Sequence, residues 1–276
     1  MREAAYYTKE AGNAALCHLC PNHCHIPSGK SGICRVRENV EGTLFAKTYG
    51  WVSAVAMDPI EKKPLNMFKP GSHILSVGTY GCNFRCGFCQ NYHISQNVPD
   101  LEPISVEALL EISEKQTDSI GIAFTYNEPT IWYEYVFDVA KQHRKDTVLV
   151  TNGYICPEPL QALLPYISAM NIDLKSMQAS FYQDTCGGTL DAVQETIRLA
   201  HAKTHVELTF LAIPGINDSP EETEAMAKWI AGVDRKIPLH IIPFHPMYQW
   251  THLPSQTHQK IQALKAIAKQ TLDYVF

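Results

Sequence analysis

The sequence predicts an α/β fold of six βα units behind an irregular, cysteine-rich, metal-binding appendage. Three observations predict it. From residue 73 onward, six short and nearly continuous apolar runs each precede a segment of helical periodicity, as in a parallel sheet covered on both faces. Six units are too few for an eight-stranded barrel, so the sheet is an open, curved partial barrel or a doubly wound sheet. The residues before 73 instead carry the Gly, Pro, Asn and His of PNHCHIPSGKSGICRVREN, with weak strand candidates at Leu44–Val55. Two zones follow, 1–72 for the Cys-rich segment and 73–276 for the core.

The elements come in strict alternation. Strands are expected at His73–Thr79, Ile120–Tyr126, Thr147–Thr151, Ala169–Leu174, Val206–Ile213 and Leu239–Phe244. Helices are expected near 105–117, 129–144, 158–167, 189–203, 220–231 and 255–270. Ser105 followed by Glu107 marks one helix start, and Ser219-Pro220-Glu221-Glu222 marks another with a cap, a first-turn proline and first-turn acids.

Composition narrows the class of protein. The 276 residues are 45% hydrophobic with a net charge of −5, which argues against disorder. No apolar run approaches the roughly 18 residues of a membrane span. The N-terminus MREAAYYTKEAGN has no apolar signal core, so a cytoplasmic location is expected. The first zone holds 9 Lys/Arg against 6 Asp/Glu, the remainder 14 against 22. That excess is too small for a nucleic-acid footprint.

The expected strand ends lead into TYGCNFRCGFCQNYHISQ, TYNEPT, TNG, DLKS, AIPGIND and PFHP. Polar, Gly and Pro residues thus gather on one rim, where loop chemistry sits in either form of sheet. Cys82, Cys86 and Cys89 lie in the first of these loops. Seven of the nine cysteines fall in two clusters before residue 90, and clustered cysteines in a reducing compartment read as metal ligands rather than disulfides. Three clustered thiolates can hold one centre and leave a coordination position open. A zinc site completed by His93 is the plainer alternative.

The Cys82-x3-Cys86-x2-Cys89 motif, with Phe88 before its last cysteine, resembles that of the radical S-adenosylmethionine (radical SAM) superfamily. GTYGCNFRCGFCQNYHIS, DPIEKKP, TYNEPT, NIDLK and CHLCPNHCHIPSGKSGICRVREN extend the likeness over nearly the whole chain. They are similar to the branch of AmmeMemoRadiSam-system radical SAM proteins, related to pyruvate formate-lyase activating enzymes. The resemblance implies the partial (β/α)6 TIM-like barrel. It also implies a [4Fe–4S] cluster on Cys82, Cys86 and Cys89, with SAM chelating the fourth iron. Reductive cleavage of SAM would give a 5′-deoxyadenosyl radical that abstracts hydrogen from a substrate. An activase-like member would act on a glycyl radical enzyme. Other members modify a small molecule, a nucleotide or an amino-acid side chain. A low-potential donor such as a flavodoxin or ferredoxin would supply the electron.

Further residues follow the same pattern. Glu128 stands where the family holds the SAM amino group, and a carboxylate suits an ammonium. A helix-start acid is the alternative. Asn152, before Gly153, either approaches SAM or makes a plain turn. Asp173 and Lys175 share a face at the end of their strand, as SAM ligands or as a structural ion pair. Thr209, Leu211 and His245 match SAM-lining positions in related activases, and Phe88 is placed with them.

Cys17, Cys20, Cys24 and Cys34 form a second metal signature. Their spacing fits structural zinc and a second [4Fe–4S] cluster alike, and His18, His23 or His25 is an alternative ligand. Cys186 in DTCGGTL is a candidate catalytic thiol facing substrate, against the default of a buried inert cysteine. Cys156 reads as structural. A metal-binding regulatory protein without turnover is the competing class, disfavoured by the intact Cys triad and Glu128.

Overall fold

The computed structural model describes residues 1–276. Its centre is a seven-stranded sheet of β1 (Ala54–Pro59), β2 (His73–Gly78), β3 (Ser119–Phe124), β4 (Asp146–Thr151), β5 (Ala169–Asp173), β6 (His205–Ala212) and β7 (Leu239–Pro243). Neighbours in sequence are neighbours in the sheet. β2 to β7 run parallel, and the sheet curls into a half-barrel. The six expected βα units are present. Their helices are α1 (Val106–Lys115), α2 (Tyr133–Gln142), α3 (Pro157–Leu163), α4 (Leu190–His201), α5 (Pro220–Asp234) and α6 (His258–Ala268).

Local chemistry accounts for these elements. Ser105 and Ser219 cap α1 and α5 by accepting from the backbone N–H of Ala108 and Glu222. Each cap contributes about 1 kcal/mol. Leu75, Val77, Ile122, Phe124, Leu149 and Ile172 face outward from the sheet. They share one core with Leu109, Val136, Val139, Leu160, Val193 and Ile197 of the helices. Each such buried side chain contributes roughly 1.5–3 kcal/mol by leaving water.

β1 was not foreseen as part of this sheet. It pairs antiparallel with β2, Asp58 opposite Ile74. Val55 and Met57 on it stay exposed, so the strand carries no core-facing apolar run to give it away. The first zone is also more ordered than its composition implied. It holds two three-stranded antiparallel sheets, one of Arg2–Glu3, Thr43–Ala46 and Arg37–Val40, the other of Tyr7–Glu10, Ala14–Cys17 and His25–Ile26. Ala15, Leu19, Ile26 and Leu44 from these segments join the barrel's core. A buried ion pair of Arg37 with Glu134 of α2 fastens the contact. Arg37 also donates to Ala5 O at 2.7 Å, and Glu134 accepts from Ala5 N at 2.8 Å.

The loop between β1 and β2 plugs the N-terminal mouth of the barrel. Its Ile60 and Leu65 pack against Ile74, Ala123, Val148 and Ala169 near the strand starts. Glu207 on β6 locks the plug. It accepts from Asn66 N at 3.0 Å and Met67 N at 2.8 Å, and hydrogen-bonds His205 at 2.9 Å and His240 at 2.7 Å. Burial opposes its charge, but the His205 and His240 bonds and then the two backbone donors hold its carboxyl at about 2, from 4.5. That difference is worth about 3 kcal/mol of stability. It is fully present above pH 4.5 and lost as pH falls through 2. Glu207→Gln is therefore expected to lower unfolding stability by about 3 kcal/mol at pH 7. Urea unfolding at pH 7 and near pH 3 should show the gap from wild type narrowing in acid.

The C-terminal residues close the far edge. Leu239 N donates to Tyr274 O and Ile241 N to Phe276 O, both at 3.0 Å, which covers the β7 edge. No helix is long and apolar enough to cross a membrane.

Candidate active site

The cleft at the strand C-termini spans about 850 Å³ counted out to solvent. It brings together Cys82, Cys86, Cys89, Phe88, Glu128, Asn152, Asp173, Lys175, Thr209 and Leu211. These are ten of the residues singled out from the sequence, drawn from five strand ends.

Gly81 turns the chain out of β2 at φ +90°, and the cysteine loop follows. Its sulfurs have distinct surroundings. Phe84 N donates to Cys82 Sγ at 3.3 Å, and Asn152 Nδ2 approaches it at 3.6 Å. Cys89 Sγ lies 3.1 Å from Ser95 Oγ. Burial, then the nearby Glu128 charge, pushes the Cys82 thiol well up, and burial pushes Cys89 up. Cys86 is shifted down, first by a hydrogen bond from Cys186, with burial opposing and Lys175 assisting. The three thiols line one shared space.

Glu128 is buried and fixed by three donors. Thr151 Oγ1 lies at 2.6 Å and Thr130 N at 2.9 Å from Oε1, and Asn152 N lies 2.8 Å from Oε2. It therefore does cap the turn Pro129–Trp132. A carboxylate offers about four lone-pair positions, so three internal bonds leave room for one ligand donor. Burial raises its pKa, against the opposing effect of these bonds. An incoming ammonium would relieve that cost. Lys175 Nζ sits 2.8 Å from Asp173 Oδ2 and 5.8 Å from the centre of the Phe88 ring. Burial opposes its charge, yet Asp173 foremost holds the ammonium well above the usual lysine range.

The structure revises three expectations. The Asn152 amide is not free for a ligand. It bonds Asn83 Oδ1 at 2.8 Å beside its Cys82 contact, and its Oδ1 accepts from Tyr154 N. Cys186 does not face the cleft. It is wholly buried at the end of the helical turn Phe181–Cys186, which packs Phe181, Tyr182 and Cys186 inward. Arg85 N donates to its carbonyl at 2.8 Å, and its thiol meets Cys86 without lining the cleft. His245 is exposed and lines a shallow surface hollow with Gln256 and His258 instead. Ile242 lines the cleft and Phe244 is fully buried, so alternation turns His245 outward.

Sequence reasoning missed a set of asparagines. Asn127 is buried; its Oδ1 accepts from Thr79 N at 3.0 Å, and its amide donates to Tyr80 O and Gly81 O. It thereby shapes the entry to the cysteine loop. Asn91 Nδ2 donates to Tyr126 O at 2.7 Å. The DPIEKKP motif also finds its place here. Tyr126 sits at φ +73° with its hydroxyl 2.9 Å from Asp58 and its ring 4.8 Å from Lys63 Nζ. Lys63 pairs with Asp58 at 2.8 Å. Although burial resists, the bonds from Lys63 and Tyr126 hold Asp58 below the usual carboxylate range. A polar residue directly after an expected strand was the available signal for Asn127, and one directly after a rim cysteine for Asn83.

Comparison with known proteins places these features. The sequence profile of the Radical SAM superfamily matches residues 76–230. An uncharacterized protein of Methanocaldococcus jannaschii is 40% identical over 100% of this chain and 84% of its own length. A second protein of that organism, provisionally named a glycyl-radical enzyme activating enzyme, is 27% identical over 73% of this chain and 79% of its own. Among solved structures, a radical SAM methyltransferase from Sphaerobacter thermophilus superposes with a TM-score of 0.55 at 16% identity, covering 76% of this chain and 67% of that one. A domain of a pyruvate-formate lyase-activating enzyme from Bacteroides vulgatus gives 0.50 at 19% identity, over 56% and 96%.

Proposed function

The chain belongs to the radical SAM superfamily, and from that premise we propose an activase-like enzyme that abstracts hydrogen from a backbone glycine of a partner protein. The observation that carries this reading is the meeting of Cys82, Cys86 and Cys89 with Glu128 and Lys175 in one cleft. Three thiols and no fourth cysteine line it, which fits a four-iron cluster with one iron left to SAM. A [4Fe–4S] cluster and SAM held there would supply one-electron reduction and hydrogen-atom abstraction. The chain's own residues hold and orient. Cys82, Cys86 and Cys89 grip the cluster, Glu128 takes the SAM ammonium, and Lys175, braced by Asp173, takes the carboxylate. Thr209, whose hydroxyl donates to Asn171 at 2.9 Å, and Leu211 form a fixed wall beneath. Phe88 shields the last cysteine. A low-potential flavodoxin or ferredoxin is the electron donor in this reading. Residues 73–276, together with β1 and the plug loop, act as the catalytic core, and the residues before Ala54 as a cover in which Cys17, Cys20, Cys24 and Cys34 hold a second metal centre. The activase assignment draws its support from the provisionally named relative.

The test is anaerobic reconstitution with iron, sulfide, SAM and dithionite. Methionine and 5′-deoxyadenosine are expected from wild type and not from the Cys82/Cys86/Cys89→Ala variant. No cleavage by wild type rules the enzyme out. With a candidate partner carrying dideuterated glycine, deuterium should appear in 5′-deoxyadenosine together with a stable glycyl radical signal. Cleavage that leaves every glycine-labelled partner untouched points to a small-molecule substrate instead.

A further inference from the structure

The four N-terminal cysteines occupy a telling position. Cys17, Cys20, Cys24 and Cys34 line one small cavity walled by Leu19, Ile26 and Ile131, and none is in a disulfide. Arg37 reaches in, its Nη1 3.7 Å from Cys17 Sγ. A buried cationic donor on sulfur suits a thiolate-bound centre, whose charge is negative. Four thiolates satisfy a tetrahedral zinc or a cubane alike, so the choice between them turns on where the cavity lies.

The segments that carry the two thiol sets touch. A Cβ placed on Gly81 would lie 2.5 Å from Cys34 O, so the Cys34 backbone rests directly on the residue before Cys82. Asn22, between Cys20 and Cys24, donates to Asn83 O at 3.0 Å. Asn83, the residue after Cys82, bonds the same Asn152 that touches the Cys82 sulfur. A structural staple gains nothing from such closeness. A one-electron carrier requires it, because electron transfer slows steeply with distance. On the outer side Cys24 is half-buried and Ile33 is 53% exposed, in a zone with an excess of basic residues. That surface suits an acidic electron-carrier protein.

We propose that Cys17, Cys20, Cys24 and Cys34 hold a redox-active [4Fe–4S] cluster that passes electrons across the Asn22–Asn83 contact to the cluster on Cys82, Cys86 and Cys89. The proposal rests on the radical SAM reading for its acceptor. The step is a single-electron exchange. The N-terminal cluster goes from its 1+ to its 2+ state, and the catalytic cluster from 2+ to 1+. No bond forms or breaks and no proton moves. A low-potential one-electron donor protein, replaced in the test by dithionite, re-reduces the N-terminal cluster.

Iron, sulfide and zinc are measured on anaerobically reconstituted wild type and on the Cys82/Cys86/Cys89→Ala variant, followed by electron paramagnetic resonance after dithionite. About eight irons are expected in wild type and about four in the variant, with a half-integer signal from the reduced variant. In fully reduced wild type the two clusters should broaden each other's signals, and this interaction should vanish in the variant. Four irons with one zinc in wild type overturn the proposal while leaving the catalytic reading intact. Eight irons without magnetic interaction overturn the relay. Retention of four irons in the variant, with no SAM cleavage by wild type, sinks the catalytic reading but not this centre. The wild-type measurements stand even where the variant folds poorly.

Discussion

Gly81→Ala is expected to destabilise the protein by about 3 kcal/mol or more. Two costs add. The residue sits at φ +90°, a conformation that costs an L-side chain about 1–2 kcal/mol. The new Cβ would also lie 2.5 Å from Cys34 O and 2.8 Å from Val36 Cγ1. The first neighbour is backbone, so relief requires the N-terminal segment to lift away from the cysteine loop. Gly71→Ala separates the terms. Gly71 has φ +78° and nothing within 4 Å of its would-be Cβ, so it should cost only about 1 kcal/mol. Urea unfolding compares the two variants, and limited proteolysis should cut the N-terminal segment faster in Gly81→Ala alone. Equal stability losses would mean that the segment does not bear on the loop.

Lys175→Met should weaken SAM binding about 100-fold, as loss of a charge-assisted bond of roughly 1.5–3 kcal/mol implies. Lys175 is only 15% exposed and its one carboxylate partner is Asp173. The variant removes the cation that would meet the SAM carboxylate and leaves Asp173 unpaired to repel it. Equilibrium dialysis of reconstituted protein with SAM measures the change. An unaltered dissociation constant would reduce the pair to a structural role and move the carboxylate site elsewhere in the cleft.

Much of this was legible in the residues. Ile120–Tyr126 and Val206–Ile213 announced their strands because both faces of a covered parallel strand are apolar, and β3 and β6 lie within one or two residues of those bounds. The cysteine loop was legible because three thiols in eight residues serve almost nothing but a metal centre. β1 was hidden, since Ala54–Pro59 keeps its apolar side chains in water. Asn83 and Asn127 were hidden for a different reason. An amide's role lies in its partners, and Asn127 finds them 46 to 48 residues away. Cys186 was misplaced because the loop after a strand was taken to lie on the rim, whereas a turn of helix folded this one underneath.

The plug of Ile60 and Leu65, locked by Glu207, has a consequence for traffic. Entry from the strand starts is blocked, so the cleft that Glu128 and Lys175 line at the strand C-termini lies at the end opposite the plug. On the proposed reading, whatever meets SAM in that cleft approaches from the side of the cysteine loop, and products leave from that side as well.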